Sequence, residues 1–91
     1  MEPLSAKVVI AFFYLMHGDM VSYTVSDYES FAKEENIPAT MTCETLVRNV
    51  GFMESVRAGL EPGEAMRASC HLTDDIMLLG DPTASAYVDA H

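Results

Sequence analysis

The side chains of this sequence best suited to chemistry are two cysteines, three histidines and two pairs of neighbouring carboxylates. The soft ligands for a metal are His17, Cys43, Cys70, His71 and His91. None stands in a CxxC, HxxxH or HExxH spacing, which would aim two ligands at one ion. Cys70 and His71 are adjacent, and on a helix adjacent side chains diverge by about 100°. The spacing therefore predicts no metal site and a chain that folds without zinc. Cys43 or Cys70 beside His71 could form a thiolate pair, but no Gly-rich turn flanks either one. The serines lack a GxSxG elbow. Glu34-Glu35 and Asp74-Asp75 are neighbours that splay apart on a helix, whereas acid–base catalysis needs convergent carboxylates. The sequence thus predicts no catalytic, metal-binding or cofactor-binding residue and no cofactor. Two cysteines make no disulfide framework, and they are expected to be reduced and buried.

Charge narrows the partners. Fourteen acidic residues face five basic ones, for a net charge of −9. Phosphate contacts need Lys and Arg, so direct nucleic-acid binding is not expected. An anionic membrane surface is disfavoured for the same reason. A protein with a basic surface is the favoured partner. Residues 1–25 hold only Glu2 and Asp19, whereas residues 26–64 hold eight of the acids. Asp27, Glu29, Glu34, Glu35, Glu44 and Glu54 from that middle stretch are the candidate partner-binding residues. They suit an inhibitor, adaptor or accessory factor. One version is an inhibitor of phage type that displays carboxylates in place of phosphates and so blocks a basic groove. Lys33, Arg48 and Arg57 interrupt the acidic stretch.

These residues need elements to hold them. Ninety-one residues suffice for one domain. The apolar run Val8 to Met16 is nine residues long, against the roughly 20 of a membrane span. The start MEPLSAK does not read as a leader, and the expected compartment is the cytoplasm. Pro3 to Met16 reads as a helix that is apolar all round, which suits a core or a subunit interface. Its Val9, Phe12, Phe13 and Met16 are the candidate self-association residues, and a homodimer is a possible assembly. The β propensity of VVI and FFY supports a buried strand as the rival reading.

Turn chemistry follows at His17-Gly18-Asp19. Met20 to Val25 alternates and reads as a short strand, pairing with the tail near Ala84 to Val88 or with a second copy. Ser26 with Glu29 fits a capping box for a helix ending before Pro38. Thr42 can cap a long helix that Gly51 can kink. Pro62 can start a last helix, which Gly80-Asp81-Pro82 stops. The expected class is mainly α: a small four-helix single domain over 1–91, with helices near 3–16, 27–35, 42–59 and 63–79. One short strand or hairpin, as a minor α+β variant, is the alternative.

The order helix, short strand, helix, turn, helix resembles the front half of a winged-helix domain. Phe31 to Ile37, then Pro38-Ala39-Thr40, then Cys43 to Val47 is similar to a helix-turn-helix, with small Ala32, turn residue Asn36 and apolar Ile37 and Leu46. The resemblance implies a transcription regulator. Its reading helix, however, carries Glu44 and only Arg48 where base contacts need Arg, Lys, Asn or Gln, and no wing follows. A non-catalytic protein-binding module is the first reading, and a winged-helix-like regulator is the alternative.

Overall fold

The computed structural model describes residues 7–72 and 82–90. Their element order is β1 (Val9–Met16), β2 (Asp19–Asp27), α1 (Tyr28–Glu34), α2 (Cys43–Val47), α3 (Val50–Ala58), β3 (Glu64–His71) and β4 (Ala84–Asp89). The strands form one antiparallel sheet in the order β2-β1-β3-β4. Three short helices cover one face of it.

β1 and β2 form a hairpin. The turn residues His17 and Gly18 both have positive φ, 52° and 89°, as a tight two-residue hairpin turn requires. The loop before β3 presses on this turn. The His17 amide donates to the Gly63 carbonyl at 2.9 Å. A Cβ on Gly63 would lie 2.6 Å from the His17 ring. With φ at +87° as well, position 63 admits little but glycine.

β1 then pairs with β3 along its whole length, from Val9 opposite His71 to Met16 opposite Glu64. Alternate residues of the sheet point to the helices. Ile10 and Phe12 of β1, Met66, Ala68 and Cys70 of β3, and Ala84 and Val88 of β4 form one buried cluster with Cys43, Leu46, Val47 and Met53 of the helical layer. The Phe31 ring of α1 packs against Phe12 at 5.3 Å, tilted by 46°, and meets Phe52 of α3 edge-on at 6.4 Å.

The helices start where polar side chains can cap them. Asp27 accepts from the Ser30 amide, Thr42 from the Thr45 amide and Asn49 from the Phe52 amide. A disulfide joins Cys43 at the start of α2 to Cys70 in the middle of the sheet. Both sulfurs lie in the core.

The four-helix expectation is overturned. The residues read as helix 3–16 hold β1 instead, the rival strand reading, and residues 1–6 lie outside the described set. β1 is apolar throughout because it is a central strand, so the alternation that marks a strand is missing. The helix expected at 63–79 is β3 over its first part, and its residues 73–79 lie outside the described residues. Ala65 and Ser69 stand at helical spacing, but pairing with β1 and β4 on both sides overrides that local pattern.

The helix expected at 42–59 is two helices. They break at Asn49, which caps α3, rather than at Gly51. The helix at 27–35 is present as α1, with Asp27 and not Ser26 as its cap. Met20 to Val25 is a strand as read, but its partner is β1. The tail strand pairs at the opposite side of the sheet. The cysteines, expected to be reduced, are bonded to each other. No helix among the described residues is long and apolar enough to cross a membrane.

The bond between Cys43 and Cys70 spans 27 residues of sequence. A closed loop of that size should stabilise the fold by about 3–4 kcal/mol on the chain-entropy scale. Denaturant unfolding with and without a reductant, and of a Cys43→Ala/Cys70→Ala variant, should show a loss of that order. Unchanged midpoints would contradict the arrangement. Asn49→Ala should cost about 1 kcal/mol by the same measurement, because it uncaps α3.

Candidate partner-binding surface

The face of the sheet away from the helices is built from the alternate register positions. These are Val9, Ala11, Phe13 and Leu15 of β1, with Val25, Tyr23 and Met20 beside them on β2. Ala65, Arg67, Ser69 and His71 of β3 and Ser85, Tyr87 and Asp89 of β4 complete it. The face has two halves. Val9, Ala11, Ser69 and His71 are buried. Towards the hairpin, Phe13, Leu15 and Val25 are half-buried, while Met20, Tyr23 and Tyr87 are 58%, 49% and 55% exposed. The Phe13 and Tyr23 rings pair across the strands at 6.1 Å. Val21, at the bulge in β2, adds further exposed apolar area. Arg67 lies between Phe13 and Tyr87 in the register, and Asp89 stands at the rim opposite Ala65.

The acidic candidates occupy the other side. Glu29, Glu34 and Glu35 lie on or at the end of α1, Glu44 on α2 and Glu54 on α3, all exposed. They are spread over the helical layer rather than gathered at one point. Two of them face cations: Glu29 lies 4.0 Å from Lys33, and Glu54 lies 3.5 Å from Arg57. Asp27 is half-buried and occupied as the cap of α1, accepting from both the amide and the hydroxyl of Ser30. Of the self-association candidates, Val9 and Phe12 are buried in the fold's own interior. Phe13 belongs to the open face. Met16, half-buried, sits at the hairpin end opposite Asp19 and Glu64. Sequence reasoning missed Leu15, Met20, Arg67 and Tyr87 as surface groups. The alternation of Val21, Tyr23 and Val25 was the available signal for β2.

The Ser69 hydroxyl and His71 Nε2 lie 2.8 Å apart, and His71 Nδ1 has no partner. Both residues are nearly fully buried, so no substrate reaches the pair. Cys70 points to the opposite face of β3 from His71 and is bonded to Cys43, so the thiolate pair considered from sequence does not form. Among the described residues no three His, Cys, Asp or Glu gather as a metal site would require. A cleft of about 970 Å³ beside the start of α1 has Val8, Ile37 and Met41 in its walls, with Lys33 and Glu29 of opposite charge. This lining favours no one ligand charge.

Comparison of the chain with protein-family models, with curated proteins and with solved structures finds no match.

Tyr28 closes the wall of the cleft by donating its hydroxyl to the Met41 carbonyl at 2.7 Å. Burial pushes its phenol above the ordinary value of 10.0. The fold thus favours the neutral phenol. That contribution is present below pH 10 and is lost as the pH rises through the folded value. Tyr28→Phe should cost about 0.5–1.5 kcal/mol at neutral pH. Its stability should also fall less steeply than the wild type's in alkaline unfolding titrations. Parallel titration curves would show that the bond is not part of the fold.

Proposed function

We propose that this protein is a non-catalytic protein-binding module, of the inhibitor, adaptor or accessory kind, and that it binds through the open half of its sheet. The observation that carries this reading is the exposed cluster of Met20, Tyr23 and Tyr87 around Phe13 and Leu15. An apolar patch with a polar rim is the usual mark of a protein contact. Tyrosine and arginine at its centre are the residue types that carry most binding energy. The acidic helical layer lies behind this face. Its part is the long-range field of a chain with net charge −9, which speeds encounter with a basic partner and turns acidic ones away. The contact itself would be apolar, with basic groups of the partner meeting Asp89 at the rim.

No particular observation favours the transcription-regulator alternative. Its first helix is a strand, and α1 and α2 are separated by an eight-residue connection (35–42) rather than a tight turn. The paired cysteines support an oxidising compartment for the folded protein, in place of the cytoplasm expected from sequence.

The test begins with capture of partners from the native host by wild type and by Met20→Asp and Tyr87→Asp variants, followed by affinity measurement on the purified partner. Each substitution should weaken binding by on the order of 30-fold or more while circular dichroism stays unchanged. A Glu34→Lys/Glu35→Lys variant should bind the same partner more slowly at low salt and as well at high salt. Full-strength binding by both open-face variants would sink the reading.

A further inference from the structure

We infer that β2 is a self-association edge, along which two copies of this chain join their sheets into one. This surface is separate from the open face. β2 ends the sheet on one side, and no described strand lies beyond it. At nine residues it is the longest of the described strands. An unpaired edge of that length is a template for another strand unless charge, proline or a cover blocks it. Between Met20 and Ser26 it carries no charge and no proline.

The hydrogen-bond phase shows which backbone groups are available. The Tyr28 amide donates to the Val8 carbonyl at 2.9 Å, continuing the β1–β2 ladder by one pair. In an antiparallel ladder, bonded pairs alternate with unbonded ones. The register runs without a shift from Asp27 to Ser22. Ser26, Thr24 and Ser22 therefore bond inward to β1, while the N–H and C=O groups of Tyr23, Val25 and Asp27 point outward.

Antiparallel self-pairing must match outward residues with outward residues. Two registers do so near the middle of the strand. One places Tyr23 opposite its own copy, but the bulge at Val21 then limits regular pairing to Ser22 through Thr24. The other places Thr24 on the two-fold axis. Tyr23 then exchanges both backbone bonds with Val25 of the second copy and Ser22 faces Ser26, so regular pairing runs from Ser22 to Ser26. No like charges meet within the paired stretch.

The side chains agree with that second register. Tyr23 and Val25 lie on the open face, so each Tyr23 ring meets a valine across the joint. The patch of one copy runs directly into the patch of the other. The two-fold axis stands perpendicular to the sheet, so both helical layers lie on the same side. α1 packs across β1 and β2, which leaves it roughly 10 Å from its copy, the ordinary separation of packed helices. Glu35 lines a small cleft with Thr24 and Ser26. Thr24 sits on the axis, so the two Glu35 carboxylates come near each other and oppose the joint. Added salt should then strengthen the dimer rather than weaken it.

The experiment is sedimentation and native mass spectrometry of the full chain, with its disulfide intact, over a range of concentrations. A concentration-dependent dimer is expected, tighter at high salt and tighter in Glu35→Gln. Val25→Pro removes an outward N–H without touching the β1 ladder. It does so in both copies, and it should weaken association on the order of 30-fold. Tyr87→Asp, which lies away from the edge, should leave the dimer intact even where it abolishes partner binding. Hydrogen exchange on the wild type gives a reading that does not depend on any variant: the Tyr23 and Val25 amides should slow with rising protein concentration, and the inward Thr24 amide should not. A chain that stays monomeric throughout, a dimer that a folded Val25→Pro variant retains, or exchange at Tyr23 and Val25 that ignores concentration would each overturn the inference.

Discussion

The pairing of β1 with β3 is the constraint on which the rest of the structure depends. Val9 meets His71 and Met16 meets Glu64 across a gap of most of the chain. Closing such a loop costs entropy before any contact returns it. Burial along both strands provides the return: Ile10, Met66 and Cys70 are fully covered. Once this central pair exists, the hairpin adds β2 on one side and the tail adds β4 on the other. The helices then have a floor to pack on. The Cys43–Cys70 bond ties α2 to the same central strand, next to that strand's last residue. A helix of five residues has little stability of its own. α2 exists because Leu46 and Val47 are buried and Cys43 is anchored.

The local signals of the sequence were legible where the structure is local. The caps at Thr42 and near Ser26, the turn at His17-Gly18 and the alternation from Val21 to Val25 all depend on residues within a few positions of one another. The central strands are different. β1 buries its even residues under the helices and Val9 and Ala11 on the other side, so nothing in its pattern alternates. The segment EAMRASCH is rich in small residues and good helix formers. What makes it a strand is β1, more than forty residues earlier, and β4 after it. Reading it as a helix followed from its own spacing and could be corrected only by knowing its neighbours. The disulfide was hidden for the same reason. Cys43 and Cys70 lie 6.1 Å apart at their Cα atoms only once α2 sits on β3.

The candidate surface was half legible. The sequence set its acids apart from an apolar start, and the structure places Glu29, Glu34, Glu35, Glu44 and Glu54 on the helical layer and the apolar start in the sheet. It could not divide the apolar run itself. Helical reasoning grouped Phe12 and Phe13 on one exposed flank. The strand sends them in opposite directions, Phe12 under Phe31 and Phe13 beside Tyr23. One residue of register decides which aromatic belongs to the core and which to the surface.

That division also explains why a small domain carries so apolar a strand. A central strand under a single helical layer would need only its even positions to be apolar. Here the odd positions are apolar too, and they change character along the strand, from buried Val9 and Ala11 to half-buried Phe13 and Leu15. The neighbours follow the same gradient: Ser69 and His71 are covered, whereas Arg67 and Tyr87 are open. An uncovered sheet face meant only for water would carry polar side chains at Phe13, Leu15 and Tyr23, as antiparallel sheets with one wet face do. Keeping aromatics there exposes the chain to non-specific association, and the net charge of −9 counters that risk by mutual repulsion. Apolar groups held at the surface under such a charge fit a contact with a partner whose basic groups offset it.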